Sequence, residues 1–285
     1  GIMDNLGFAF SRLEQKEIAL ENYHSAYEIY LSQEDYPKAA FSQSAMAQVF
    51  WQRYEKDSAI YYHQRAIELL KKANDSAKVA YSYTKLGSLY KESGQILKSN
   101  EAFLTAENIY IKLPVSDEYG NLLRDKADNY YSVQQYQQSL DYYKRALDVY
   151  TKFDLKSNAE SAKLSIADIY ASLGKLENSS QILEEVLLAN KSNLNNINSY
   201  VYYYFIKGKI EGLKNNQEGR LEQYVKGLQT AKELKDTANF GVFYNQIGRY
   251  YVDNDEVDSA FNYLHAARKA YEQNNNTSGL YGVYY

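Results

Sequence analysis

The chain has 285 residues, 45% of them hydrophobic and 24% charged, with a formal net charge of −4, no cysteine, two prolines and 14 glycines. The lack of cysteine excludes disulfides, thiolate catalysis and zinc–thiolate sites. The acidic balance argues against a nucleic-acid-binding surface, which needs a basic stripe, and against attraction to an anionic membrane. No run approaches the ~18 apolar residues of a membrane span, and so few prolines and glycines suit a largely helical chain.

A pattern of an apolar residue, a small residue and, three positions on, an aromatic recurs along the chain. It reads Leu6-Gly7 with Phe10, Met46-Ala47 with Phe50, Leu86-Gly87 with Tyr90, and Ala127 with Tyr130. It continues as Ile166-Ala167 with Tyr170, a degenerate Gly208, and Ile247-Gly248 with Tyr251. The interval between small residues is 40 five times and 41 once. Twelve residues after each comes a second small residue (Ala19, Ala59, Ser99, Ser139, Ser179, Ala260), with Arg220 the exception. A fixed long period marks a solenoid of stacked supersecondary units and points to binding rather than chemistry.

The predicted repeats are approximately 1–35, 36–75, 76–115, 116–155, 156–195, 196–235 and 236–275, with a partial eighth at 276–285, forming a single array over 1–285. In the second, Ala39, Phe41, Met46, Val49 and Phe50 share one helical face, and Ala59, Tyr62, Ala66, Ile67 and Leu70 share another. A polar turn, Gln52–Asp57, separates them. Gly94 and Gly174 suit the left-handed position that ends a helix. Asp35, Asp75 and Asp236 each stand twelve residues before a small residue, where a carboxylate accepts the free amides of a first helical turn. Small residues let two helices approach, and Tyr90, Tyr130, Tyr170 and Tyr251, with Phe10 and Phe50, are predicted to cover the gap. Tyr30, Tyr110, Tyr150 and Tyr271 share a second register position. Both tyrosine sets are expected to bury their rings and leave their hydroxyls at the rim.

The sixth repeat is irregular: Glu211 replaces the covering aromatic, Arg220 replaces the small residue, and glycines accumulate. It is either a hinge or ligand approach, or a decayed repeat held by its neighbours. The stretch Asn193–Asn198 is the most loop-like in the chain. The histidines, His24, His63 and His265, form no metal pair, and no phosphate loop or nucleophile elbow is present. No catalytic, metal or cofactor site is predicted.

Leu86-Gly87, Tyr90, Ser99, Phe103 and Ala106 resemble the tetratricopeptide repeat, as do Met46-Ala47, Phe50, Ala59, His63 and Ala66. The resemblance implies an all-α, right-handed superhelix of about seven helix-turn-helix repeats and a partial eighth. Its period is longer than the family's 34 residues, and the closing proline is missing. Asp57-Ser58-Ala59 and Asp258-Ser259-Ala260, with their tyrosine pairs, are similar to arrays of Bacteroidetes that precede a membrane helix, a histidine kinase or a DNA-binding domain. Gly1 opens inside an incomplete first repeat and Tyr285 stops inside an eighth, so a segment of a longer protein is expected.

In this family, first helices line the side on which partners dock. By register, that implies Phe41, Ser44, Gln48 and Trp51; Tyr81, Thr84 and Ser88; Asn121, Arg124, Asp128 and Tyr131; Ser161, Leu164 and Asp168; Tyr202, Phe205 and Lys209; and Asn245 and Arg249. Trp51, the only tryptophan, either anchors a ligand or packs against the next repeat. Arg124 is expected to pair with Asp128, four residues on. A clamp for a C-terminal carboxylate, which uses lysine and asparagine, finds Asp4 and Phe8 in its place. The reading is a non-enzymatic protein- or peptide-binding module, the sensor or interaction segment of a bacterial signalling or transcription regulator, in the cytoplasm or periplasm. The alternative is a free-standing scaffold or assembly adaptor. The overall charge favours a neutral or mildly basic ligand, with no nucleic acid or membrane contacted.

Overall fold

The computed structural model describes residues 1–190, 197–274 and 276–284. The chain divides into two compact units, Gly1–Gln135 and Tyr136–Tyr285. The first contains α1 (Ile2–Arg12), α2 (Lys16–Ser32), α3 (Tyr36–Gln52), α4 (Lys56–Lys72), α5 (Ser76–Glu92), α6 (Ile96–Tyr110) and α7 (Asp117–Ser132). The second contains α8 (Tyr136–Lys152), α9 (Lys156–Ser172), α10 (Leu176–Asn190), α11 (Ile197–Leu213) and α12 (Gln217–Glu233). A 3-10 turn at Thr237–Asn239 follows, then α13 (Phe240–Asp253), α14 (Val257–Gln273) and α15 (Thr277–Tyr284). No described residue lies in a strand. The expected all-α architecture is what both units show. Of the loop-like stretch, residues 193–196 lie outside the described residues and Ile197 opens α11.

Among the described residues, most successive helices are joined by turns of one design. Glu14, Glu34, Tyr54, Asn74 and Gly94 in the first unit all have positive φ, and so do Asp154, Gly174, Asn215, Lys235 and Asp255 in the second. The next amide donates to the carbonyl five residues back, as in Asp35 to Tyr30 (2.9 Å), Gln95 to Tyr90 (2.8 Å) and Leu155 to Tyr150 (2.9 Å). That bond closes each helix end in the Schellman manner. Glycine was expected at two of these positions; elsewhere side chains accept a backbone that costs an L-residue about 1 kcal/mol.

From Glu14 to Gly94 the left-handed residues stand twenty apart; the next such position is Pro114, and the series resumes at Gln134. The pyrrolidine ring fixes φ near −65°, so the turn fails there. The chain instead leaves α6, reaches Ser116 in extended conformation, and restarts as α7 with the Ser116 hydroxyl accepting from the Tyr119 amide at 3.4 Å.

Asp35 and Asp75 cap as expected, accepting from the Lys38 and Lys78 amides at 3.2 and 3.0 Å. The same lysines return their ammonium groups to the carboxylates, at 2.5 and 2.7 Å. Asp236 does not cap an α-helix. Its carboxylate accepts instead from the side-chain amide of Asn239 (2.7 Å), which stands where the other two repeats have lysine, and α13 begins only after the 3-10 turn.

The small residues are buried as predicted: Ala19, Ala59, Ala127 and Ala167 are fully enclosed, and Gly87, Gly248 and Ala260 are buried. Their cover differs from the expectation. At the four glycine positions the group pressed on each comes from sixteen positions on, in the second helix of the pair: Tyr23 on Gly7, Phe103 on Gly87, Tyr224 on Gly208 and Leu264 on Gly248. Antiparallel helices joined by so short a turn place those two positions face to face. The second tyrosine set buries its rings as expected, but not every hydroxyl stays at the rim. The Tyr30 hydroxyl is buried and donates to Asp4 at 2.6 Å, and Ser42 donates to the other carboxylate oxygen at 2.8 Å. That hydrogen bond, with burial, pushes Tyr30 up to about 12.

In the irregular sixth repeat a large residue and a small one have changed helices, and the next repeat holds the large one. A Cβ on Gly212 would meet the Arg220 side chain at 2.8 Å, so the glycine makes room for the residue that replaces the usual small one. The Arg220 guanidinium then reaches Asp253 at 2.8 Å and the ring of Tyr250. Size has moved from one helix to its neighbour.

Candidate functional site

In the first unit, α3 and α5 form two walls of a cavity of about 670 Å³. Five of the predicted residues, Phe41, Ser44, Gln48, Trp51 and Tyr81, line it together with Phe8, His63, Lys78 and Lys85. Phe41 and Tyr81 are exposed and Trp51 is half-buried, so the rings are available rather than consumed by packing. The Lys56 ammonium stands 5.8 Å from the centre of the Trp51 ring and also donates to the carbonyl of Glu92 at 3.0 Å. Lys16 makes the same bond to Gln52, 3.1 Å, one repeat earlier. These lysines complete carbonyls at the ends of first helices, where a positive charge is favoured.

Two further cavities adjoin the first. One of about 560 Å³ shares Lys78 and Tyr81 and extends to Tyr110, Leu113, Pro114 and Ser116, at the broken turn. The other, of about 340 Å³, shares His63, Lys85 and Leu89 and reaches Ser88, Arg124 and Asp125. Around the residues that register picked out in this unit there are thus three adjoining hollows, with Tyr81 and Lys85 at the two partitions.

His63 occupies the same register position as Phe103, and its Nδ1 is buried without a hydrogen-bond partner. Burial, then the nearby Lys85 charge, holds the imidazole down to about 4. Arg124 differs from the expectation: its guanidinium is on the adjacent Asp125, at 2.7 and 3.1 Å, while Asp128 lies 3.9 Å from Lys91. Asp125 also accepts from Ser88 at 3.3 Å. Thr84 is buried and donates to the Ala80 carbonyl, so it serves its own helix. Tyr131 is half-buried at the end of α7.

In the second unit the predicted residues pack on one another. Asp168 is 2% exposed and accepts from Lys209 at 2.5 Å and from Tyr202 at 2.9 Å. Lys209 also donates to Ser172 at 2.7 Å. Phe205 stacks on Tyr202, with ring centres 6.0 Å apart. Leu164 is core. Arg249 donates to the Gly282 carbonyl at 3.1 Å and so fastens α15. The sequence missed that Asp168 is satisfied internally; a buried carboxylate 41 residues from its lysine leaves no local signal. Among the described residues, no group of three or more His, Asp or Glu side chains is placed to hold a metal. No described helix is long and apolar enough to cross a membrane.

Antiparallel helix pairs repeating every forty residues, with a groove walled by first helices, define a helical-repeat protein. Residues 1–72 and 75–152 match the tetratricopeptide repeat, and the chain belongs to that family. The apo form of RapI shares the fold with a TM-score of 0.76 at 13% identity, over 96% of this chain and 98% of that one. A tetratricopeptide repeat protein from Parabacteroides merdae ATCC 43184 gives 0.68 at 14% identity, over 99% and 98%. A Rap protein complexed with competence and sporulation factor gives 0.65 at 13% identity, over 95% and 74%. At these identities the likeness is one of fold alone. No curated protein matches the chain.

Proposed function

We propose that the protein is a non-enzymatic binding module that holds an extended peptide along the first unit, as the sensor or interaction segment of a bacterial signalling or transcription regulator. The observation that carries this reading is the run of three adjoining hollows with accessible Phe41, Trp51 and Tyr81. A small metabolite fills one such hollow, whereas a peptide spans all three, and a few aromatic anchors usually dominate such binding. Two solved neighbours support the choice of ligand: one Rap protein is complexed with competence and sporulation factor, and a Rap conjugation gene regulator of plasmid pLS20 with the Phr* peptide. In the second unit, Asp168, Tyr202 and Lys209 are engaged with each other, so they are assigned to stability rather than to the ligand.

The test uses Trp51 as a built-in reporter, because the chain has no other tryptophan. Titration with an acetylated, amidated random hexapeptide library should change its fluorescence. Tyr81→Ala should weaken that response by about ten-fold or more, the scale of an aromatic anchor. A response unchanged in Tyr81→Ala, with folding intact, places the ligand elsewhere.

A further inference from the structure

The chain is acidic overall, yet the cavity between α3 and α5 is not. Seventeen residues line it, none is Asp or Glu, and the charged ones are Lys78 and Lys85. The two lysines differ. Lys78 is neutralised by Asp75 at 2.7 Å. Lys85 lies 5.1 Å from the centre of the Tyr81 ring and has no carboxylate within salt-bridge distance among the described residues. It stands at the partition with the next hollow, so its charge reaches both spaces. Around this cation are Phe41, Trp51 and Tyr81, which offer ring surface.

We propose that this cavity selects an acidic segment: a peptide with a Glu or Asp side chain directly beside an apolar one, the carboxylate meeting Lys85 and the apolar group the rings. This deepens the peptide reading above and rests on it. A carboxylate gains a charge-assisted bond here without breaking an ion pair that already exists. In this cavity a basic side chain would meet an ammonium and no acid in the lining, so charge selects against it there; the carboxylates of Glu92 and Asp125 line only the adjoining hollow. The local lining therefore reverses the preference for a neutral or mildly basic ligand that net charge suggested.

The experiment uses the full chain and three acetylated, amidated hexapeptide pools. Each has a central Phe flanked by Glu, by Gln or by Lys, with the remaining positions randomised, and binding is read by Trp51 fluorescence. The Glu pool should bind about ten-fold tighter than the Gln pool, the yield of one charge-assisted bond, and the Lys pool weakest. Lys85→Met should level the Glu and Gln pools, and Lys85→Glu should invert the order. Both variants are at an exposed position, and circular dichroism equal to the parent confirms their folding. Preference for Gln or Lys by the parent, or a Glu preference that survives Lys85→Glu, overturns the assignment while leaving peptide binding standing. If no pool binds, the peptide reading falls and this inference falls with it.

Discussion

The ring of Phe103 rests on Gly87 with no space for a methyl group between them: a Cβ built on the glycine would lie 2.6 Å from two ring carbons. Phe103 is fully buried and Gly87 sits in mid-helix, so neither has an easy way to retreat. Gly87→Ala should therefore destabilise the protein by about 1–3 kcal/mol despite the better helix propensity of alanine. Adding Phe103→Leu should recover part of the loss, since Ala167 shares its cluster with Leu183 in the same register. Urea unfolding of the two single variants and the double variant measures the coupling. Additivity would show that the contact is not what sets the glycine.

His63 carries a pH signature. Folded, it stays neutral down to about pH 4, whereas the unfolded chain takes up the proton near 6.5. Between those values the unfolded state binds more protons, so stability falls as pH drops through the window. The loss should reach about 3 kcal/mol at its lower end. His63→Phe, which repeats the choice made at Phe103, should flatten that part of the profile. A pH–stability difference between parent and variant that stays constant from pH 6.5 to 4 would contradict it.

Asp168 should be sensitive to the loss of its cation. Lys209→Met removes the ion pair from a carboxylate that remains buried, at a cost of about 2–4 kcal/mol. Lys209→Met with Asp168→Asn should be milder than the single change, because the uncompensated charge is gone. Guanidinium unfolding followed by circular dichroism reads both. Equal losses in the two variants would mean that the pair contributes little.

The left-handed turns offer a gain. Glu34 and Tyr54 have φ of 54° and 62°, and replacing either by glycine should stabilise by about 0.5–1 kcal/mol, relief of backbone strain exceeding the entropy cost. Gly94 supplies the control. A Cβ there meets nothing within 4 Å, so Gly94→Ala should lose about 1 kcal/mol from backbone conformation alone. Melting temperatures moving in opposite directions for the two substitutions are the expected result.

The sequence disclosed the period, the helical faces and the buried small residues because each is a local pattern repeated many times. Asp35 and Asp75 were legible as caps for the same reason. What it hid depended on partners distant in the chain. The +16 cover on Gly87 and the buried Tyr30–Asp4 bond follow from how two helices meet. So does the choice of Asp125 over Asp128 by Arg124, since charge spacing along one helix takes no account of what the neighbouring helix presents. Asp236 was misread because its competitor, Asn239, matters only through its side-chain amide. In the groove, register brought Phe41, Gln48, Trp51 and Tyr81 together, but not the unpaired state of Lys85, which is a property of everything around it.

The twenty-residue spacing of the left-handed joints has a consequence for length changes. Deleting forty residues between equivalent joints restores the same sequence of faces. Deleting twenty would also rejoin two sound turns, and the backbone would accept it, but every later helix would exchange its inward role for an outward one. The joints therefore tolerate a cut that the side chains forbid. Pro114 interrupts this count once in the first unit, and the count resumes at Gln134, forty residues after Gly94.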